Sequence, residues 1–536
     1  MSSVAPQNLC EENGNVAAQE HQRLIQRRVL DLQSEIRGLV DFHNTLSPIN
    51  RLPAEILSSI FIQASFETRK ESLSWIRLTH VCRHWRAVAL ECAALWSDLS
   101  FANLNFTEVM LSRSKNAPLA VEYDAPYPRT TLQNYEVLSN ILRQGHRLRS
   151  LTIMNDRPRG LVLHLRKTLS RCIVAPILEE LRLCSRDDNF LCPPFLSGGA
   201  PSLKYLRISG CKIADWSCIP LGPGLTTLDL DLTIAERGRL PSGKELLASL
   251  RNMPLLKKLR LAQVALPVDG YPPLPSDLRP PVVCANLQTL ELVASPKAMC
   301  DFFRMVRLPL LRDINITFNN RHGYTTEVMD NFFSALHVIW SDVADEGFKE
   351  LRMARDGRNR NSLWFDFHGR TGASSNEPHT LLLANVTRSN VKQILPILRR
   401  GWEVSKLQVL DVDMDNVVED TDWILRFADL PKLQDVTVVD CGPVMQFAAA
   451  MKQLALAVAA NPGISSFPAL ERITIEEAHL SSRLLRSLTE ALQARSKHGD
   501  PALKVYITDC EDMNEKAFEA FMKELPDVEV VWDGRS

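Results

Sequence analysis

The 536-residue sequence lacks the short motifs that mark the commonest enzyme classes. It contains no GxxxxGK[ST], GxGxxG, GxSxG or HExxH segment, so no phosphate loop, nucleophile elbow or helical zinc site is indicated. It also lacks an excess of either charge, with 62 Lys and Arg against 63 Asp and Glu. A net charge of −1 gives no general attraction to nucleic acid or to anionic membranes. We therefore expect a non-enzymatic protein and disfavour nucleic acid as its main partner.

Cysteine is present but never in a CxxC pair, since the twelve cysteines are scattered along the chain. His80, Cys82 and His84 are close in sequence, but on a helix the first and third share a face that the second does not. The first 22 residues carry no basic and then apolar stretch of the secretory type. We expect reduced thiols, no metal, no cofactor and a cytoplasmic and/or nuclear location. The apolar segment 444–460 is short for a membrane span and is predicted to be a core helix.

The N-terminal 47 residues divide into a polar stretch and a helical one. Residues 1–20 are polar and are predicted to be disordered, whereas residues 21–47 are predicted to be helical. The apolar side chains there alternate at spacings of four and three, with only His43 interrupting them. They are Ile25, Val29, Leu32, Ile36, Leu39 and Leu46. The pattern fits either an amphipathic helix packed on its own chain or a coiled coil.

From residue 146 to the C-terminus the sequence repeats itself. The repeated unit has apolar residues at relative positions 1, 4 and 6, separated by polar ones, which predicts a strand with one buried face. Eleven segments fit, and they begin at residues 148, 178, 203, 225, 256, 287, 311, 407, 433, 470 and 502. The gap between 311 and 407 holds "SLWFDF" (362–367) and "HTLLLANV" (379–386), which are interpreted as degenerate repeats. Such units must stack to close a core, as in a solenoid.

These repeats resemble irregular leucine-rich repeats, in which a Cys or Asn stands at relative position 9. Cys211, Asn319, Cys441 and Cys510 occupy that position, and Asp156 and Asp415 take it in two other repeats. In that family this side chain bonds backbone groups in the turn after the strand. The resemblance implies a curved parallel sheet on one face and helices on the other, with the side chain at position 5 on the concave face. A protein substrate is expected there, on a face that is basic in early repeats and acidic in late ones. The predicted contact residues are Arg182, Arg207, Asp229, Arg260, Glu291 and Asp411.

Residues 48–101 carry too many large apolar side chains for so short a helical segment to bury alone. Leu52-Pro53 places a proline at the start of a helix. A second helix spans 78–90, and "ALWSDLSF" adds a third apolar anchor around Trp96. Small helical units of this kind often complete their core against a partner.

These three anchors resemble the F-box, in the form common in proteins from mushroom-forming fungi. The matching residues are "LPAEILSSIF", "VCRHWRAVA" and "LW", in that order. The resemblance implies docking onto the Skp-family adaptor of an SCF ubiquitin ligase, and through it to a cullin, while the repeats hold a substrate for ubiquitin-dependent degradation. The implied contact residues are Leu52, Pro53, Ile56, Leu57, Ile60, Phe61, Val81, Cys82, Trp85 and Trp96, the last four also as internal packing.

The sequence thus predicts an α/β protein with an N-terminal helical F-box-like module followed by an irregular leucine-rich-repeat solenoid. Residues 102–145 are expected to connect the two. The predicted function is substrate recognition for an SCF-type ubiquitin ligase. The alternative is a leucine-rich-repeat interaction scaffold with no role in ubiquitination, in which the F-box-like helices are purely structural.

Overall fold

The computed structural model divides the chain into two compact units, Met1–Leu151 and Thr152–Ser536. It describes residues 7–68, 73–101, 103–124, 132–155, 167–185, 190–191, 195–213, 216, 219–232, 243–263, 281–319, 324–339, 347–356, 359–369, 379–401, 404–413, 418–460, 466–496 and 503–535.

The first unit is mostly helical. Its helices are α1 (Gln7–Leu46), α2 (Ala54–Thr68), α3 (Arg83–Glu91), α4 (Leu104–Arg113) and α5 (Leu132–Leu142), with 3-10 turns at Pro48–Arg51, Leu73–His80 and Ala93–Trp96. Two short strands, β1 (Asp98–Ser100) and β2 (Leu119–Asp124), pair in parallel.

Two sequence predictions for this unit are wrong. The helix α1 begins at Gln7, so residues 7–20, predicted to be disordered, are helical. Residues 102–145, predicted as a connection, contain α4, β2 and α5 and belong to the first compact unit. Neither stretch has the apolar repeat that distinguishes the C-terminal region, so sequence periodicity did not predict the helices and the strand that they contain.

Strands recur throughout the described residues of the remaining chain. They are β3 (Leu148–Asn155), β4 (Glu180–Ser185), β5 (Phe190–Leu191), β6 (Tyr205–Ser209), β7 (Lys212–Ile213), β8 (Thr227–Asp231), β9 (Lys258–Ala262), β10 (Val282–Val283), β11 (Thr289–Ala294), β12 (Val306–Arg307), β13 (Asp313–Phe318), β14 (Glu350–Asp356), β15 (Asn359–Gly369), β16 (His379–Thr387), β17 (Val409–Asp413), β18 (Asp435–Val439), β19 (Arg472–Glu476), β20 (Lys504–Thr508) and β21 (Glu529–Trp532). Each of the eleven repeat segments contains one of these strands.

One large, mostly parallel sheet runs through the second unit. Its strands pair in the order β4, β6, β8, β9, β11, β13, β16, β15, β14, β17, β18, β19, β20, β21. Only β15 runs antiparallel to its neighbours in this series. The segment 362–367 lies in β15, so it is a hairpin strand and not the repeat strand that was predicted, whereas 379–386 lies in the parallel strand β16.

The repeat template explains the core of this sheet. Side chains at positions 4 and 6 are buried, as with Leu206 and Ile208 of β6, both 0% exposed. The residue between them, Arg207, is only partly buried. This alternation is what a pleated strand with one covered face requires.

The longer helices of the second unit each lie between two strands along the chain. They are α6 (Gly243–Arg251), α7 (Pro296–Met305), α8 (Thr326–Ile339), α9 (Arg388–Gly401), α10 (Cys441–Ala460), α11 (Ser482–Ser496) and α12 (Glu515–Glu524). Among the described residues, α10 is the one helix long and apolar enough to cross a membrane by length and composition. Its side chains Val444, Phe447 and Met451 are buried, and Lys452 pairs with Glu490 of α11 at 2.7 Å, as in a core helix.

Two of the position-9 cysteines bond the strand before them. The Cys211 thiol donates to the Leu183 carbonyl at 3.9 Å, and the Cys510 thiol donates to the Ile475 carbonyl at 3.6 Å. Burial raises the pKa of Cys211 to about 12. Both thiols therefore act as buried hydrogen-bond donors between successive strands. Asp156 and Asp415 lie outside the described residues.

Candidate partner-docking site

The helical module of residues 48–101 builds a core of its own. Leu57 and Phe61 of α2 are fully buried, and Leu95 and Trp96 are no more than 1% exposed. The indoles of Trp75 and Trp96 meet edge to face, with their centroids 5.1 Å apart. The Trp96 Nε1–H donates to the Ala89 carbonyl at 2.7 Å, so this buried polar atom is satisfied.

A second aromatic contact ties α3 to the turn before α2. The rings of Phe61 and Trp85 lie 5.0 Å apart. The Trp85 Nε1–H donates to Asn50 Oδ1 at 2.6 Å, and Asn50 Nδ2 donates to the Asn44 carbonyl at 2.6 Å. Asn50 was not singled out from the sequence, because nothing in its local pattern reveals a partner 35 residues away.

Cys82 has a structural role that sequence spacing alone left open. It is the N-cap of α3, and its sulfur accepts a hydrogen bond from the Trp85 backbone N–H at 3.5 Å. This satisfies one of the free donors at the helix start. Within the described part of the chain, no group of three or more His, Cys, Asp or Glu side chains is arranged to hold a metal ion.

Accessibility divides the residues that were predicted to face an adaptor. The side chains of Leu57 and Phe61 lie in the module's own core, so the expectation that they contribute to a partner surface is corrected. Trp96 is buried there too, which is the internal packing that was one of its two predicted roles. The physical reason is the helical period. Positions 57 and 61 form one inward stripe of α2, and the stripe at 56 and 60 is rotated from it by about 100°.

The outward stripe of α2 is apolar. Ile56 is 50% exposed and Ile60 is 40% exposed, and Pro53 lies at the N-terminal end of the same stripe and is also exposed. We call Pro53, Ile56 and Ile60 the α2 stripe. Leu52 is half-buried, whereas Val81 in the turn before α3 is 59% exposed. Since the module already has a packed core, these exposed side chains are not needed to complete it.

The polar surroundings of Val81 are basic. Between residues 73 and 90 there is no Asp or Glu, while Arg77, Arg83 and Arg86 are exposed. His80 and His84 are exposed in the same segment. A partner that covers this region is favoured if it carries acidic side chains.

Five of the six residues predicted to bind a substrate, all but Asp411, lie side by side on the sheet together with Asn315. Arg182, Arg207, Asp229, Arg260, Glu291 and Asn315 are register partners on successive strands from β4 to β13. We call these six residues the N-terminal row. The repeat template alone correctly predicted which side chains share it.

Four of the five charged residues of the N-terminal row pair with one another. Arg260 binds Asp229 at 2.9 Å and Glu291 at 2.8 Å, and it reaches Asp231 at 3.3 Å. Arg207 contacts Asp229 at 3.3 Å. Burial alone would lower the pKa of Arg260, but the hydrogen bonds and charges of Glu291 and Asp229 raise it overall. These groups are therefore largely neutralised within the sheet.

A similar row occupies the C-terminal half of the sheet. Asp411 of β17 is the register partner of Arg352 on β14 and of Thr437 on β18. Arg352 Nε lies 3.0 Å from Asp411 Oδ2. Burial raises the pKa of Asp411 to about 6, with Glu476 and Asp413 adding to the rise and Arg352 opposing it. The acidic character predicted for this end is thus partly cancelled by an arginine.

The arginine comes from a strand that the sequence prediction missed. The segment "FKELRM" begins at Phe348 and carries Leu351 and Met353 at positions 4 and 6, all of them buried. It fits the repeat template once Phe is accepted at position 1. The same strand supplies Arg355, which binds Asp413 at 3.2 Å and Asp440 at 3.3 Å.

Comparison with known protein families supports the module assignment. Residues 49–102 match the family model described as F-box-like. No curated protein matches the chain. The match identifies the helical module as an F-box-like domain, supports an F-box protein, and suggests in general an SCF-type adaptor role with a Skp-like adaptor as the kind of partner.

Proposed function

We propose that this protein is a substrate-recognition adaptor of an SCF-type ubiquitin ligase. The α2 stripe, with Leu52 and Val81 beside it, docks a Skp-family adaptor and through it a cullin. The observation that carries the proposal is the exposure of Ile56 and Ile60 on a domain whose core is already filled by Leu57, Phe61 and Trp96. Apolar side chains in that position gain free energy when a partner covers them.

In this proposal the second unit is a leucine-rich-repeat solenoid that holds a protein substrate. The template strands, their parallel register and the thiol contacts of Cys211 and Cys510 support the repeat assignment. Arg182 and Arg207 are the row residues best placed to meet a substrate, since their side chains are 43% and 42% exposed against 11% for Asp229. The chain contributes proximity and orientation and no catalytic group of its own, and it acts in the cytoplasm and/or nucleus.

Co-purification with a Skp-family adaptor tests the first half of the proposal. The adaptor should be recovered with the native chain, should be reduced by Leu52→Ala/Pro53→Ala and should be lost with Ile56→Asp/Ile60→Asp. A matched control replaces two exposed apolar residues of other helices, Val338→Asp/Leu456→Asp (61% and 65% exposed), and should retain the adaptor. Failure of the native chain to recover any adaptor would favour the scaffold alternative.

The substrate half has its own test. Proximity labelling under proteasome inhibition should identify proteins that accumulate with the native chain. Charge reversal by Arg182→Glu/Arg207→Glu should release at least one of them while adaptor binding persists. Substrate capture that is unaffected by this double variant would contradict the proposal that Arg182 and Arg207 contact the substrate.

A further inference from the structure

From residue 18 onward, the helix α1 is almost uncovered by the described residues of its own chain. In α1, every side chain from residue 18 to residue 40 is exposed among those that the structure describes. Ten large apolar side chains are between 41% and 65% exposed: Leu24, Ile25, Val29, Leu30, Leu32, Ile36, Leu39, Val40, Phe42 and Leu46. A helix in water draws most of its stability from packing of its apolar face. Of the two interpretations that the sequence allowed, packing of α1 onto the described residues of its own unit therefore does not occur in this structure.

The exposed side chains contain a heptad pattern. With Val29 and Ile36 at position a, position d is filled by Ile25, Leu32, Leu39 and Leu46, and His43 takes the last a position. We call these seven residues the α1 seam. β-Branched residues at a combined with Leu at d are the combination that favours parallel two-stranded coiled coils.

The contacts of α1 with its own module leave the α1 seam free. Asp41 binds Arg83 at 2.7 Å, and the Asn44 carbonyl accepts the hydrogen bond from Asn50. In the heptad these two residues occupy positions f and b, on the side of the helix opposite to a and d. The end of α1 is thus held by its back face.

The charges beside the α1 seam fit a second copy of the same chain. Positions e and g between residues 21 and 42 hold two side chains charged at pH 7, Arg28 and Glu35. In a parallel, in-register pair these face Gln33 and Val40 of the other copy, so no like charges meet. A coiled coil with a different protein chain is usually specified by many charged residues at positions e and g, and this helix has few of them. Covering the seam on both copies removes on the order of 1,000 Å² of surface, near the lower bound for stable interfaces.

We infer that α1 forms a parallel two-stranded coiled coil with α1 of a second copy of this chain. Only the turn Pro48–Arg51 and three further residues separate α1 from α2, so a parallel pair carries its two F-box-like domains at the same end. This inference does not depend on adaptor binding. Its consequence for the proposed function is a ligase adaptor with two docking domains.

The mass of the purified full chain in solution tests the inference. Sedimentation or light scattering should give twice the 60.4 kDa chain mass, falling to a single chain on dilution. The seam variant Leu32→Asp/Leu39→Asp should have the mass of one chain at all concentrations. The matched control Leu24→Asp/Leu30→Asp changes two residues of the same helix that are each 60% exposed but lie off the seam, and it should stay dimeric.

Orientation has a separate measurement. Oxidation of the His43→Cys variant should link two copies rapidly, because position a of one helix faces position a of the other in a parallel pair. The native chain under the same oxidation provides the background from its own cysteines. A monomeric native chain, or a dimer that the seam variant does not weaken, would overturn the inference. The unfolding temperature of the chain beyond α1 should be the same in both double variants as in the native chain, since no side chain of its core is altered.

Discussion

The α2 stripe is apolar and lies on a domain whose interior is complete, whereas most of the solvent-facing rows of the sheet are charged and bind one another. Ile56 and Ile60 keep about half of their side-chain surface exposed to solvent, while Arg260 already contacts Asp229, Asp231 and Glu291. An exposed apolar stripe on a completed domain is the kind of surface at which partners bind. A row of charges that already pair with one another says little about the chemistry of a ligand, because the row is stable without a ligand.

The largest expected effect tests whether the core of the helical module is complete without a partner. Trp96→Ala removes a buried indole, its contact with Trp75 and its hydrogen bond to Ala89, and should lower the free energy of unfolding of the module by about 3–5 kcal/mol. Ile56→Ala should change it by less than about 0.5 kcal/mol. Urea unfolding followed by tryptophan fluorescence measures the second change, and circular dichroism measures both. Equal losses would mean that α2 is not divided into an inner and an outer stripe.

An intermediate effect tests whether the ion pairs within the N-terminal row stabilise the fold. Arg260→Ala leaves Asp229 with Arg207 as its remaining partner at low exposure, and should cost about 2 kcal/mol of unfolding free energy. The control Arg304→Ala removes a more exposed pair with Asp301, whose arginine side chain is 63% exposed, and should cost about 0–0.5 kcal/mol. Chemical denaturation of both variants gives the comparison. A loss no larger for Arg260 than for Arg304 would contradict the buried network.

The smallest effect sharpens the comparison through pH. The pKa of Asp411 is raised to about 6 in the folded chain, above its ordinary value near 4. A raised carboxyl pKa means that the folded state binds the proton more tightly, so its ionisation destabilises the fold as pH rises from about 4 to 6. After allowance for screening by water, Asp411→Asn should be more stable than the native chain by about 1 kcal/mol at pH 7. At pH 4 the two should be equally stable.

Unfolding measured at several pH values checks this last expectation, and only the difference between the two chains matters, because other groups cancel. A variant that loses more stability relative to the native chain at pH 7 than at pH 4 would contradict this expectation, because it would show that ionised Asp411 is a favourable partner of Arg352.

The sequence predicted the strands well because their alternation is local. Eleven segments with apolar residues at positions 1, 4 and 6 all contain strands, and Phe348 hid a further one by replacing the usual aliphatic residue. Strand direction was not predictable for β15, since alternation looks the same for a parallel and an antiparallel strand. The pairing of Arg260 with Glu291 needed the register between strands that lie 31 residues apart.

The exposed stripe of the proposed docking site was predicted only to the level of a helix. Pairs 56 and 60 and pairs 57 and 61 are both apolar at i and i+4, so periodicity defines two adjacent stripes and cannot say which one faces the core. That choice is made by Trp85 and Trp96, which pack from later in the chain. The start of α1 was missed because residues 7–20 lack apolar periodicity.

Calorimetric titration of the purified chain with a purified Skp-family adaptor tests the central claim most directly. Ile56→Asp/Ile60→Asp should weaken binding by about 30-fold or more, equivalent to about 2 kcal/mol, with an unchanged unfolding temperature. Val338→Asp/Leu456→Asp should bind within about 2-fold of the native chain. Native-like affinity in the α2 stripe variant would contradict the account, because the exposed apolar side chains on which it rests would then contribute nothing to docking.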